Sequence, residues 1–385
     1  MNLTVQGKIG FAACFALVGI AVFWSTQTTI AGPGESGTSI ASSWDQKGAA
    51  AYLDRRQEWW MSWPTAQRDH DTFCVSCHTA VPYAIARSAL HNGLAEQSPS
   101  AGERRLLDNV TKRVRLWKEV APFYSDADRG VYKTVESRGT ESVLNALILA
   151  TRDAQSGRLS HDAATAFDNM WAEQQTAGDK KGAWLWLRFN NEPWEADDSG
   201  YYGATLAAVA IGTAPAKYHD TPEIQNNVKM LREYLNREYS VQTPINHAVL
   251  LWAAAKLPAL IEPDRKKAIT SELLEKQQRD GGWSLSSLAG AWKRHDGTSQ
   301  EVKTDGYATG LITFVLQQSG VPLENAQLKR GLSWLTANQD KTEGSWQSFS
   351  LNKNKQHHLS PETALFMNDA ATAYAVLALT NAGRP

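Results

Sequence analysis

Residues 330–346 read Arg330-Gly331-Leu332-Ser333-Trp334-Leu335-Thr336-Ala337-Asn338-Gln339 and, after a short gap, Gly344-Ser345-Trp346. The pattern is a basic-Gly pair, an aromatic-Leu pair, a Gln and then Gly-x-Trp. It returns as Leu273-Leu274 to Gln278 with Gly281-Gly282-Trp283, and as Met170-Trp171 to Gln175 with Gly182-Ala183-Trp184. Tyr52-Leu53 to Gln57, with Trp63 beyond and no Gly, is a worn copy. Tyr234-Leu235 keeps the apolar pair but has Tyr239 in place of Gln. Recurrence of this kind signals a repeat architecture, which has to be recognised before any other feature is read. It speaks to architecture and leaves activity open.

Each copy sits at the end of an amphipathic stretch that has apolar residues at helical spacing on one face. These stretches run over 47–61, 103–119, 161–175, 222–238, 264–279 and 325–339. Each is followed by a more apolar, Ala-rich stretch: 79–91, 141–153, 199–212, 244–257, 305–318 and 369–382. Asp198, Asp305 and Asp369 stand where a helix N-cap belongs. One helical pair cannot bury its apolar side, whereas six closed into a ring can. The expectation is an all-α protein, an (α/α)6 toroid in one domain over 44–385. The amphipathic helices form its outer ring and the Ala-rich helices its inner ring.

The quoted repeats resemble the QW repeat of squalene cyclases and related prenyltransferase toroids, a resemblance that spans almost all of residues 44–385. It implies the same toroid. Glu195-Ala196-Asp197-Asp198 resembles the D-x-D-D acid motif of class II terpene cyclases, with Glu in place of the first Asp. In that family the middle Asp protonates an alkene, a role the resemblance assigns here to Asp197. Thr304-Asp305-Gly306-Tyr307 resembles the prenyltransferase segment whose Asp and a nearby Cys bind zinc. No Cys follows it here, so protein prenylation and a zinc ion are not expected.

Lys8 precedes an uncharged apolar run over 9–24, and small or polar residues continue to Ala31. This is the layout of a secretory signal over 1–31, and 32–43 reads as a linker. The chain is then expected to be exported and periplasmic, with the membrane met only through this segment, either as a cleaved signal or as an N-terminal anchor. Lys and Arg total 39 against 40 Asp and Glu, which gives a net charge of −1 and argues against nucleic acid as a partner.

Three cysteines occur, and the signal takes Cys14. The other two form Cys74-Val75-Ser76-Cys77-His78, the C-x-x-C-H signature of covalent c-type haem. Cys74 and Cys77 would carry the thioethers and His78 would be the proximal iron ligand. A structural zinc site wants four ligands, and a thioredoxin-like disulfide wants a βαβ setting; neither fits the surrounding sequence. The resemblance to c-type cytochromes stops at this motif, because no Met occurs between Met61 and Met170 to serve as the usual second ligand.

Connections from an amphipathic helix to its Ala-rich partner are mostly long: 62–78, 120–140, 176–198, 280–304 and 340–368. Alternation places them at one mouth of the toroid, and long loops inside a compact fold are usually functional. The haem motif lies in the first of them. Met367, His295, His357 and His358 fall at the same mouth and are the distal-ligand candidates; an open sixth position is the alternative. His91, His161 and His219 fall at the other end. The chain has 15 Trp, and within the third long loop Trp186, Phe189 and Trp194 are candidates to flank haem or a hydrophobic ligand.

These readings converge on an exported haem protein that transfers electrons with a redox partner protein or oxidises a hydrophobic, isoprenoid-like small molecule. The alternative is a cyclase-like enzyme or lipid-binding module using Glu195–Asp198.

Overall fold

The computed structural model describes residues 44–120, 123–294, 296–352 and 361–383. The signal and linker expected over 1–43, and the ligand candidates His295, His357 and His358, lie outside the described residues.

The chain runs as six helical hairpins. Outer helices are α1 (Gln46–Ser62), α3 (Ala101–Arg115), α5 (His161–Ala172), α7 (Gln225–Arg237), α9 (Pro263–Glu275) and α11 (Ala326–Ala337). Inner helices are α2 (Ala80–Ala86, extended by a 3₁₀ turn over Arg87–Leu90), α4 (Lys133–Ser156), α6 (Ser199–Thr213), α8 (Pro244–Lys256), α10 (Gly306–Gln318) and α12 (Phe366–Ala382). Each inner helix packs on the next, and α12 packs back on α2, so the inner ring closes. This is an (α/α)6 toroid. The only paired strands among the described residues are Gln67–Arg68 and Thr72–Phe73, an antiparallel ribbon just ahead of Cys74.

Burial explains the two classes of helix. α3 buries Leu106, Asn109, Val110, Arg113 and Val114, a single stripe at helical spacing. α4 buries every residue from Gly139 to Ala150, as expected of a helix with neighbours on all sides. The outer face remains polar, and α3 opens with a capping box in which Ser100 and Glu103 satisfy each other's backbone N–H.

The repeat has a mechanical role. In three hairpins the Trp of Gly-x-Trp donates its indole N–H to a carbonyl near the end of the outer helix: Trp184 to Met170, Trp283 to Leu273 and Trp346 to Leu335, each at 2.7 Å. The indoles thereby serve carbonyls of the last helical turn, where intrahelical donors run out. In the fourth hairpin the Tyr201 hydroxyl replaces the indole and donates to the Leu235 carbonyl at 3.0 Å. The Gln four residues after that carbonyl ties its loop to the next outer helix of the ring. Gln174 meets Asn227, Gln277 meets the Gln327 carbonyl, and Gln339 exchanges hydrogen bonds with the Asp45 backbone. The last of these closes the ring. Gln174 and Gln277 are therefore the repeat glutamines, one residue before the Gln175 and Gln278 that the sequence pattern picked out. Gln57, in the worn first copy, is buried with no partner for its side-chain amide among the described residues.

The repeat glycines are needed where the loop turns back. Gly182 has φ +95°, and a Cβ there would lie 2.0 Å from the Met230 carbonyl oxygen. Gly344 has φ +75°, and its Cβ would lie 2.2 Å from the Gly48 backbone.

Of the three expected N-caps, only Asp305 makes the bond, accepting from the Ala308 N–H at 3.0 Å. Asp198 caps nothing, and Ser199 Oγ instead accepts from the Ala196 N–H. α12 begins three residues before Asp369, which leaves that carboxylate free to act across the ring.

Candidate functional site

Cys74–His78 links the ribbon to α2 at the N-terminal end of the inner ring. Several bonds fix the loop. The Cys74 N–H donates to the Ala66 carbonyl at 2.8 Å, and Trp60 Nε1 donates to the Cys74 carbonyl at 2.7 Å. The Asn109 side chain pairs with both backbone groups of Phe73. Ser76 Oγ accepts from the N–H groups of Thr79 and Ala80, starting α2.

Both thiols are free and buried, and burial pushes both upward from the ordinary thiol range. The Tyr124 hydroxyl approaches Cys74 Sγ at 3.8 Å. His78 is 4% exposed, and burial, with Arg56 nearby, pulls its imidazole down to about 3, so it is neutral at ordinary pH. Nδ1 lies 2.9 Å from Thr79 Oγ1, whose own proton goes to Asp369 Oδ2 at 2.7 Å. The hydroxyl can therefore only accept from His78, which puts the ring proton on Nδ1 and leaves the Nε2 lone pair available. Asp369 is fixed in turn by Arg56, at 2.6 and 3.0 Å, and by the Tyr52 hydroxyl at 3.0 Å. An imidazole oriented through its second nitrogen by a carboxylate relay is the arrangement that metal-ligating histidines require.

Cys74, Cys77 and His78 open together onto one cleft of about 680 Å³, mouth included. Its walls include Trp60, Trp63, Tyr124, Phe189 and Phe366, and its polar groups include Glu195, Asn191 and Arg129. The Phe366 ring stacks on His78 at 3.7 Å, Trp60 meets it edge-on at 5.1 Å, and Trp194 lies 5.7 Å away. Arg68 lies behind the wall, over the Tyr124 ring at 4.1 Å, and its Nη1 donates to the Thr65 and Gln67 carbonyls. Two free thiols, a neutral imidazole with an available nitrogen, aromatic walls and the Arg129 guanidinium in the lining fit a covalent porphyrin that carries carboxylates.

The candidates named from sequence separate here. Trp194 reaches His78. Trp186 does not line the cleft: its indole donates to the Trp194 carbonyl at 2.8 Å, and its ring fills the space left by the missing side chain of Gly203. Met367 is buried but outside the cleft lining, and its neighbour Phe366 faces His78 instead, since successive residues on a helix point about 100° apart. Asp197 is exposed and lines no part of the cleft. The carboxyl of that motif which does face the cleft is Glu195, pushed up by burial to about 7 against opposing effects of Asn191 and Lys133. Phe366, Thr79, Asp369 and Glu195 were not singled out as site residues from sequence. The only signal for Glu195 was its place in the acid motif. His91 lies at the other end of the toroid, as expected. No described helix is long and apolar enough to cross a membrane.

No protein-family model matches the chain, and no curated protein matches it. Among solved structures, one described as a glycosidase is similar over 87% of this chain and 98% of its own, at 15% identity and a TM-score of 0.47.

Proposed function

We propose that this chain is an exported c-type haem protein on a squalene-cyclase-like toroid, acting in electron transfer or in oxidation of a hydrophobic small molecule. One observation carries the reading: Cys74, Cys77 and a neutral His78 share one aromatic cleft, with His78 oriented through Thr79 by Asp369. In that role Cys74 and Cys77 would bond the porphyrin edge, His78 Nε2 would ligate the iron, and Arg129 would receive a carboxylate. Bound haem would supply one-electron chemistry at the cleft. The chain's own part is to fix the imidazole, exclude water with Trp60, Trp63 and Phe366, and hold a proton on Glu195 near neutral pH.

The test is the mass of denatured protein produced with cytochrome maturation machinery, read beside its absorption spectrum. The expected mass is chain plus one haem, reduced to a single thioether in Cys77→Ala. A denatured mass equal to the bare chain defeats the reading.

A second reading rests on Glu195. A buried carboxyl protonated near neutral pH beside an aromatic wall suits acid-initiated chemistry on an apolar alkene. It transfers the acid role proposed for Asp197 to Glu195. Glu195→Gln should then abolish turnover of a polyprene, and Asp197→Asn should leave it intact.

A further inference from the structure

At the opposite end of the toroid, the C-terminal parts of all six inner helices surround a second cavity, about 1410 Å³ with its open mouth. Ile85, Val209, Trp252, Phe314 and Leu377 make its apolar wall. Among the described residues no carboxylate and no guanidinium lines it; His91 is already paired with Glu103 at 2.9 Å, and Lys256 is the other titratable group. A cation finds no counter-charge there, and away from Lys256 the wall suits a neutral ligand.

Two of the lining residues hold donors with no acceptor among the described residues. Trp252 is 4% exposed and its indole N–H has no such partner; Thr213 is half-buried, but its hydroxyl oxygen is buried and likewise without one. A buried donor left unmade costs about 1–3 kcal/mol, so a site with two of them calls for a ligand bearing acceptor oxygens. Trp252 and Phe314 meet edge-to-face at 5.4 Å, a wall suited to a flat ring.

A file of rings joins this wall to the first site. Trp252 meets Tyr374 at 6.4 Å, Tyr374 meets Tyr307 at 5.7 Å, Tyr307 meets Trp194 at 5.6 Å, and Trp194 meets His78 at 5.7 Å. We infer that the far cavity is a second ligand site that takes a flat, neutral, dicarbonyl compound of the quinone class. The acceptor oxygens meet Trp252 and Thr213, and the ring lies against Trp252 and Phe314. The choice of a redox-active ring, rather than any neutral carbonyl compound, rests on the haem reading above. The cavity and its two donors do not.

The experiment is calorimetric titration of the full chain with duroquinone. Binding is expected in the wild type, weakened about fivefold in Trp252→Phe and in Thr213→Val, as loss of one hydrogen bond implies. It should be lost in Ala89→Trp, which fills the cavity from its α2 wall. If that variant fails to fold, Ala154→Trp blocks the same cavity from α4. No binding to wild type, or binding indifferent to the blocking variant, overturns the proposal. Equal affinity in wild type, Trp252→Phe and Thr213→Val overturns the ligand class. The denatured mass reports separately on the haem reading, so the two can fail independently.

Discussion

Thr79 Oγ1 donates to Asp369 Oδ2 across 2.7 Å although 290 residues separate them. The contact joins the first inner helix to the last, so ring closure and site orientation share one hydrogen bond. Asp369 also carries Arg56 and Tyr52, which makes it the point where the first hairpin, the sixth hairpin and the His78 ring are held together.

Asp369→Asn leaves the buried Arg56 charge uncompensated and should destabilise the chain by roughly 3–5 kcal/mol. Thr79→Val keeps the shape but strands the His78 donor and one Asp369 lone pair, at a cost of about 1–3 kcal/mol. Urea denaturation of both variants measures the two costs. Equal effects would mean that Asp369 acts only through Thr79.

Register in the repeat can be tested within a single Gln pair. Gln277→Leu removes a side chain bonded to the Gly281 and Gln327 carbonyls at 2.7 Å each. Gln277 also accepts from Arg330, whereas Gln278→Leu removes two longer bonds, to the Val302 carbonyl at 3.0 Å and from the Thr304 hydroxyl at 3.1 Å. The first variant should lose about 1 kcal/mol more than the second. The reverse order would restore the alignment read from sequence.

Gly182→Ala combines a left-handed φ with a Cβ driven against the Met230 carbonyl oxygen. It should lower the thermal midpoint well beyond the ordinary helix or loop Gly→Ala change. Gly157, also at positive φ but with nothing within 4 Å of its Cβ, is the control for backbone strain alone.

Asp305 supplies a pH signature away from the Cys74–His78 cleft. Burial pushes its carboxyl up to about 6, against the pull of the Ala308 and Leu285 N–H groups and the Ser348 hydroxyl. The folded chain therefore holds a proton there between about pH 4 and pH 6 that the unfolded chain has released, so stability falls as pH rises through that window. Asp305→Asn should remove this slope whatever constant offset it adds. Unfolding free energies of the two proteins at pH 4, 5, 6 and 7 test it, and parallel curves would show that the carboxyl titrates alike folded and unfolded.

The six hairpins were legible because burial on one face writes a helical period into each outer helix, and burial all round writes an Ala-rich run into each inner one. The repeat glutamines were misplaced by one because Gln174-Gln175 and Gln277-Gln278 are doublets, and composition cannot say which member faces the next hairpin. Helix phase decides it: the bonded Gln lies four residues after the carbonyl that the indole caps. Met367 was named and its neighbour was not for a related reason, since one residue of phase determines which side chain meets His78. Glu195 was passed over because the acid motif directs attention to its middle Asp, while depth of burial depends on the packing of 189–196 against the cleft and leaves no mark in the local sequence.

The last inner helix also completes what the first hairpin begins. Phe366, from the far end of the chain, stacks on His78, and Asp369 on the same helix holds the Thr79 hydroxyl that orients the imidazole. The first hairpin alone therefore supplies the imidazole without its orientation, and a chain truncated before residue 366 would keep Cys74–His78 while losing both the ring that faces the histidine and the carboxylate behind it.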